Sequence, residues 1–338
     1  MDNTIIDDIQ SNLVDIAPND TTQDIISNYD VQNLSFDTIY QDIIDSIKNT
    51  ITIPVDLILS LLVCILITAV IQSFNENNEQ HRIFSLASIL LCIRVVIDPI
   101  VQLIDSIQEV MLSSVMFINS YVPIISSIML ADGQIGTSAS YGAITYVCCQ
   151  VWVQFANNII LPLMSVSLAL SCISGICPDI SLGGIVKVIK KCVTWIMSVS
   201  MFIFSGIVTI QGAVSSAGDR VTSKALKFVV SNGVPIVGNA VSDVCETVRS
   251  SLGLLKSGVG LVGIVVILIT VLPSVVNVGI VRVVITLGET LADMFDVKYL
   301  KNFLTDVSAV LSAVFSCTIC FVVTFIVSIG AVMLLVGG

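Results

Sequence analysis

The amino-acid sequence predicts an all-α polytopic membrane protein with about six transmembrane helices and several amphipathic or re-entrant connector helices. Two observations carry that reading. From Gly133 to Pro178 the chain runs 46 residues without an Asp, Glu, Lys, Arg or His, and comparable runs occupy 192–218, 257–281 and 307–338. The composition agrees, with 55% hydrophobic and 12% charged residues and a mean hydropathy of +0.99, against about 25% charged in soluble domains. About 20 consecutive apolar residues cross the roughly 30 Å hydrocarbon layer as a helix, which satisfies its own backbone polar groups where water is absent.

Residues 1–50 form an acidic N-terminal region, distinct from a membrane domain over 51–338. Ten of the 25 acids are aspartates before residue 50, where Lys48 is the only base, so the net charge of −11 is concentrated in this tail. Such a tail repels nucleic acid and anionic lipid. Two short amphipathic patterns, Ile5, Ile9, Leu13, Ile16 and Ile39, Ile43, Ile44, Ile47, predict partly helical structure joined by a polar stretch, with a flexible spacer as the alternative. Met1-Asp2-Asn3-Thr4 has neither the basic nor the apolar region of a secretory signal. Either the first apolar span directs insertion or a leader lies upstream.

Six spans are expected at about 54–73, 84–104, 143–171, 193–216, 257–281 and 308–337. The second carries Arg94 and Asp98, which at i and i+4 share a helix face and can pair, lowering the cost of each charge in lipid. The pair reads either as a functional intramembrane site or as a structural clip. Between spans, 105–130 and 217–250 read as amphipathic connectors, the latter with a turn around Ser231–Asn239. Basic residues divide six to seven between the two faces, so they do not fix the orientation; the acidic tail favours an N-terminus outside the cytosol.

Three pairs of segments recur in one register. Val122-Pro123-Ile124 matches Val234-Pro235-Ile236, Leu161-Pro162 matches Leu272-Pro273, and Lys187 with Lys190 matches Lys298 with Lys301, at offsets of 111 to 112. This predicts a parallel internal repeat of 84–192 and 196–301.

On span three, Gln150, Gln154, Asn157 and Asn158 fall at i, i+4, i+7 and i+8 and predict a polar face turned from lipid. Pro162 removes the N–H that would bond the Asn158 carbonyl, which predicts a bend with a free carbonyl beside the amides. The combination reads as the wall of a hydrated path or as interhelical hydrogen bonding. Gly258-Val-Gly260-Leu-Val-Gly263 has the spacing of a dinucleotide loop but opens an apolar span, where no strand or βαβ unit can precede it. It reads as a small-residue packing face.

The ten cysteines lie mostly in apolar runs, where thiols act as small hydrophobes; Cys317-x-x-Cys320 has no neighbour to activate it, and Cys172 and Cys177 could pair near a helix end. With His81 the only histidine, a conventional zinc site is not expected. No phosphate-binding loop or H-E-x-x-H occurs. The expectation is therefore a non-enzyme without metal or cofactor.

The segments Gly206–Gly212, Lys227–Asp243 and Leu254–Gly263, together with Ser120-Tyr-Val-Pro-Ile124 and Asn158-x-x-Leu161-Pro162-Leu163, resemble the stage III sporulation protein AE family over roughly residues 50–338. The resemblance implies a multi-pass protein of the mother-cell membrane around the forespore, within a trans-envelope channel-like complex that supports late forespore gene expression. It implies as partners the other stage III A proteins, among them a secretion-type ATPase and ring-forming subunits, and a forespore membrane protein. Homo-oligomerisation stays open. Two other readings of the residues remain, a stand-alone secondary transporter and a passive membrane scaffold for ring-forming partners.

Overall fold

A computed structural model describes residues 52–73, 79–132, 134–176, 183–204 and 238–334, with a few isolated positions elsewhere. Among these residues the fold is all-helical. The acidic region 1–50 and the Val234-Pro235-Ile236 segment with its turn lie outside the described residues.

Helix α1 (Thr52–Ser73) is followed by α2 (Glu79–Ala131), a single helix of 53 residues. A tight turn at 132–134, closed by the Gln134 N–H on the Met129 carbonyl at 3.0 Å, leads into α3 (Ile135–Phe155). One wide turn, Ala156–Ile160, joins α3 to α4 (Leu161–Ile176). Helix α5 covers 183–204. The chain finishes with α6 (Gly238–Met294) and α7 (Lys298–Leu334).

The α6–α7 turn shows how local chemistry sets an element's end. Asp296 adopts φ 53°, the left-handed region that closes many helices. The Val297 N–H then reaches the Ala292 carbonyl at 2.9 Å and the Asp296 N–H reaches that of Asp293 at 3.1 Å. These satisfy two of the carbonyls a helix leaves unpaired at its C-terminus. Val297 is fully buried beneath the turn.

Four helical stretches are long and apolar enough to cross a membrane, Leu86–Ala131, Ile135–Ile176, Val259–Met294 and Lys298–Ile329, with a shorter apolar stretch at Asp56–Ile71. Of the six expected spans, 54–73 corresponds to α1 with its shorter apolar stretch, and 193–216 lies partly outside the described residues. Connector 105–130 is corrected: it is the continuation of α2. Its buried positions Leu103, Ile107, Met111, Ser114, Ile118, Val122 and Ile125 hold the 3.6-residue period without a break, so one face stays against the bundle throughout. Pro123 sits within α2 on its exposed side.

Helix α2 is the hub, packing on α1, α3, α4, α6 and α7, while α6 and α7 form the most extensive pair. Phe117, Tyr121, Phe303, Phe321 and Phe325 are the largest wholly buried side chains. The outer surface is apolar too, with Leu59, Leu91, Met116, Val151, Trp195 and Phe202 exposed, as lipid contact requires.

The expected repeat is not followed in where helices break. The turn at 132–134 corresponds, at an offset of 111, to positions inside α6, and the wide turn before Pro162 has no counterpart before Pro273, where α6 is regular. Residues 211–237 of the second copy lie outside the described residues.

Candidate functional site

The polar face of α3 divides in two. The Gln150 amide donates to Asn119 Oδ1 of α2 at 3.2 Å, so the inner part ties two helices together. The Asn158 amide donates to Gln154 Oε1 at 2.7 Å on the exposed side. Asn157 Oδ1 is buried without a hydrogen-bond partner among the described residues. The row expected to turn from lipid is thus divided, with Gln150 and Asn157 half-buried and Gln154 and Asn158 exposed.

Ahead of Pro162 the helix inserts the wide turn 156–160, in which the Leu161 N–H reaches back five residues to the Ala156 carbonyl. A proline supplies no N–H and its ring crowds the carbonyl four residues earlier, and one wide turn shifts the register around that obstacle without ending the helix. Asn119 was not singled out from the sequence. The available signal was its place four residues ahead of Pro123, the same spacing as Asn158 and Pro162.

Segments far apart in the chain meet at the α2–α6 crossing. Tyr121 stacks on Phe117 at 5.4 Å, and its hydroxyl donates to the Val259 carbonyl at 3.1 Å. A Cβ on Gly263 would lie 2.6 Å from Tyr121 Cζ, so the ring occupies the space that glycine leaves open. Gly260 is buried nearby, and Gly258 lies one turn earlier in the same helix. The G-x-G-x-x-G spacing thus sits within helix α6, and Gly263 seats an aromatic ring where a dinucleotide loop would have held a phosphate. Pro273 is half-buried further along α6.

Arg94 and Asp98 pair on α2 as their spacing predicts, with side chains 73% and 42% exposed. The pair stands on the outer side of the helix. Below it the same side of α2 carries Gln102, Asp105, Gln108 and Glu109, all exposed.

A second polar region lies around the α6–α7 turn. Thr305 donates to Glu289 Oε1 at 2.7 Å, Lys301 pairs with Asp293 at 2.6 Å, and Arg282 lies 5.8 Å from the centre of the Phe315 ring. Burial, and then the charge of Arg282, lower the Lys190 ammonium below the usual lysine range. Asp306 is buried, and its carboxylate oxygens lie 2.7 and 2.8 Å from where a Cβ on Gly183 would stand, which fits α5 against α7 at its first residue.

Among the described residues no group of three or more His, Cys, Asp and Glu could hold a metal ion. The described cysteines, including Cys317 and Cys320, are free thiols; Cys177 lies outside the described residues.

Comparison with known proteins gives one consistent result. The profile of the stage III sporulation protein AE family matches residues 18–337. Stage III sporulation protein AE of Bacillus subtilis (strain 168) is 22% identical over 212 residues, 63% of this chain and 53% of that protein. The chain thus spans about half the length of the curated relative it matches. No solved structure matches it.

Proposed function

This chain belongs to the stage III sporulation protein AE family, and on that premise we propose that it is the multi-pass membrane component of a channel-like complex between mother cell and forespore. In this reading it resides in the mother-cell membrane around the forespore and forms part of the base or conduit of the assembly. It supports forespore development and late forespore gene expression. Other stage III A proteins complete the assembly, with a secretion-type ATPase supplying energy, ring-forming subunits, and a partner from the forespore membrane. The chain itself performs no catalysis.

The observation that carries this reading is the family match over 18–337 on a chain with four helices long and apolar enough to cross a membrane. The exposed pair of Gln154 and Asn158 supports a conduit wall, since two amides on the outer side of an apolar helix are costly against lipid and cheap against water. Changing both to leucine is expected to impair spore maturation at unchanged protein level and membrane insertion. Normal spores from that double variant would remove the conduit role. Copurification from sporulating cells, with subunit counting, tests membership of the complex, and solute uptake by the purified chain alone would favour a transporter instead.

The scaffold reading has one observation in its favour. The Gln150–Asn119 bond shows that part of the amide row serves helix packing. A scaffold predicts that leucine is tolerated at Gln154 and Asn158.

A further inference from the structure

Helices α5, α6 and α7 share one membrane border, and two cations meet there without a carboxylate. Gly183 of α5 packs on Asp306 of α7, where a Cβ would lie 2.7 Å from a carboxylate oxygen, and Thr324 Oγ1 of α7 lies 3.3 Å from Met201 Sδ of α5. The same number of residues separates the two contacts on each helix, so α5 and α7 run parallel in one register and Lys190 stands level with Ala313. Helix α6 runs the other way. Thr286 Oγ1 lies 3.4 Å from Ser308 Oγ, and Thr305 donates to Glu289 at 2.7 Å, which puts Arg282 level with Ser312. Its guanidinium accordingly lies 5.8 Å from the centre of the Phe315 ring.

On α7, Asp306 and Thr324 mark the side met by α5, and Ser308 and Phe315 the side met by α6. Between those sides Ser312, Ser316 and Cys320 are half-buried and floor a shallow groove. Lys190 and Arg282, also half-buried, stand level on its two banks, and the Lys190 ammonium feels the charge of Arg282.

The level is that of lipid headgroups. The charge-free run of α5 begins at 192 and that of α6 ends at 281, within two residues of Lys190 and Arg282, and that of α7 begins at 307, within two turns. Inward of the level Trp195, Phe202, Ile319 and Val323 are exposed and apolar, with the tryptophan placed where membrane interfaces concentrate that residue. Outward of it come Lys187, Glu289, Asp293 and Lys301.

The described residues do not answer these two charges. Neither cation takes part in an ion pair among them. Glu289 and Asp306 are the described carboxylates nearest in level on these helices, and each stands seven residues outward, about 10 Å along the axis. Glu289 is already bonded to Thr305. Two cations held together repel, and half-burial weakens the screening by water. An anion seated between them removes that cost. A free anion would engage the cations alone, whereas a lipid also covers the apolar surface directly inward.

We infer that Lys190 and Arg282 bind the headgroup phosphate of an anionic phospholipid, whose acyl chains run inward along the groove past Trp195 and Val323. Lys187 and Lys191, exposed on the adjoining turns of α5, favour a headgroup with net negative charge. The site requires only that these helices cross a membrane, and it stands whether or not the chain forms a conduit.

The test places the purified full chain in nanodiscs of phosphatidylglycerol and phosphatidylcholine in equal parts, re-extracts it in detergent and counts the retained lipids by native mass spectrometry. The parent is expected to retain phosphatidylglycerol in preference, and Lys190→Gln with Arg282→Gln to lower that retention about tenfold. Lys298→Gln, which removes a cation at the α6–α7 turn, is expected to leave it unchanged, and Lys190→Arg to keep it. If the double variant does not accumulate, Lys190→Gln alone gives the same readout at smaller amplitude. Equal retention by the variants and the parent would overturn the site, as would a parent without preference for phosphatidylglycerol. Displacement of the lipid by millimolar inorganic phosphate would assign the cations to a free anion. A parent without lipid, together with loss of an acidic partner protein from the double variant, would assign them to that protein. Either result overturns the lipid site.

Discussion

Replacing Gly263 with alanine probes a close approach between α2 and α6. The new Cβ would lie 2.6 Å from Tyr121 Cζ and 2.7 Å from its hydroxyl oxygen. Comfortable contact begins near 3.4 Å, so the ring or the helix must yield by about 0.8 Å. Tyr121 is wholly buried and stacked on Phe117, so its ring has nowhere to swing. Overpacking of this kind costs about 1–3 kcal/mol, and breaking the bond to the Val259 carbonyl adds about 0.5–1.5 kcal/mol. Unfolding of the purified chain in mixed detergent micelles reads the loss as a shifted midpoint. Tyr121→Leu should cost stability alone but relieve Gly263→Ala in the double variant, giving a coupling of at least about 1 kcal/mol. A Gly263→Ala protein within about 0.5 kcal/mol of the parent, with no coupling to Tyr121, would refute the account of this crossing.

Two further outcomes follow from local geometry. Asp296→Gly should raise the unfolding midpoint by the equivalent of about 0.5–1 kcal/mol, because its left-handed φ costs an aspartate more than a glycine and the turn's backbone bonds are kept; a lower midpoint would show that the Asp296 side chain contributes more than its backbone strain costs. Asn119→Leu should destabilise by under about 2 kcal/mol by leaving the Gln150 amide unpaired, and Asn119→Leu with Gln150→Leu should recover part of the loss; additive losses in the double variant would show that the 3.2 Å bond is not made in the membrane.

The helices were legible because uncharged runs and a 3.6-residue period are local properties of the sequence. Arg94 with Asp98 could be paired from spacing alone, and the structure places them in contact. Helix lengths were less legible. Residues 105–130 look like a separate connector because Asp105 and Glu109 interrupt the apolar run, yet their carboxylates point outward while the buried face continues through Ile107 and Met111. Breaks, in turn, depend on what a proline meets. Pro123 passes inside α2, whereas Pro162 follows a wide turn, and nothing in the immediate sequence separates the two cases. Tyr121 on Gly263 was out of reach for another reason: the partners lie 142 residues apart, and no local periodicity encodes such a meeting. The amide row could be found, but which of its members meets α2 could not, because that is decided by the neighbours of α3 and not by α3 itself.

The unbroken course of α2 has a mechanical consequence. Fifty-three residues in one helix make a rod about 80 Å long, held across its far third where the Tyr121 ring rests in the hollow of Gly263. The rod is also held at its near end, where Cys92 meets Thr68 of α1 and Ile89, Ile93 and Val96 are buried, so a displacement at one end is carried to the other by the helix as a unit. The packing at Cys92 and the packing at Tyr121, some 40 Å apart, are thereby parts of one mechanical element.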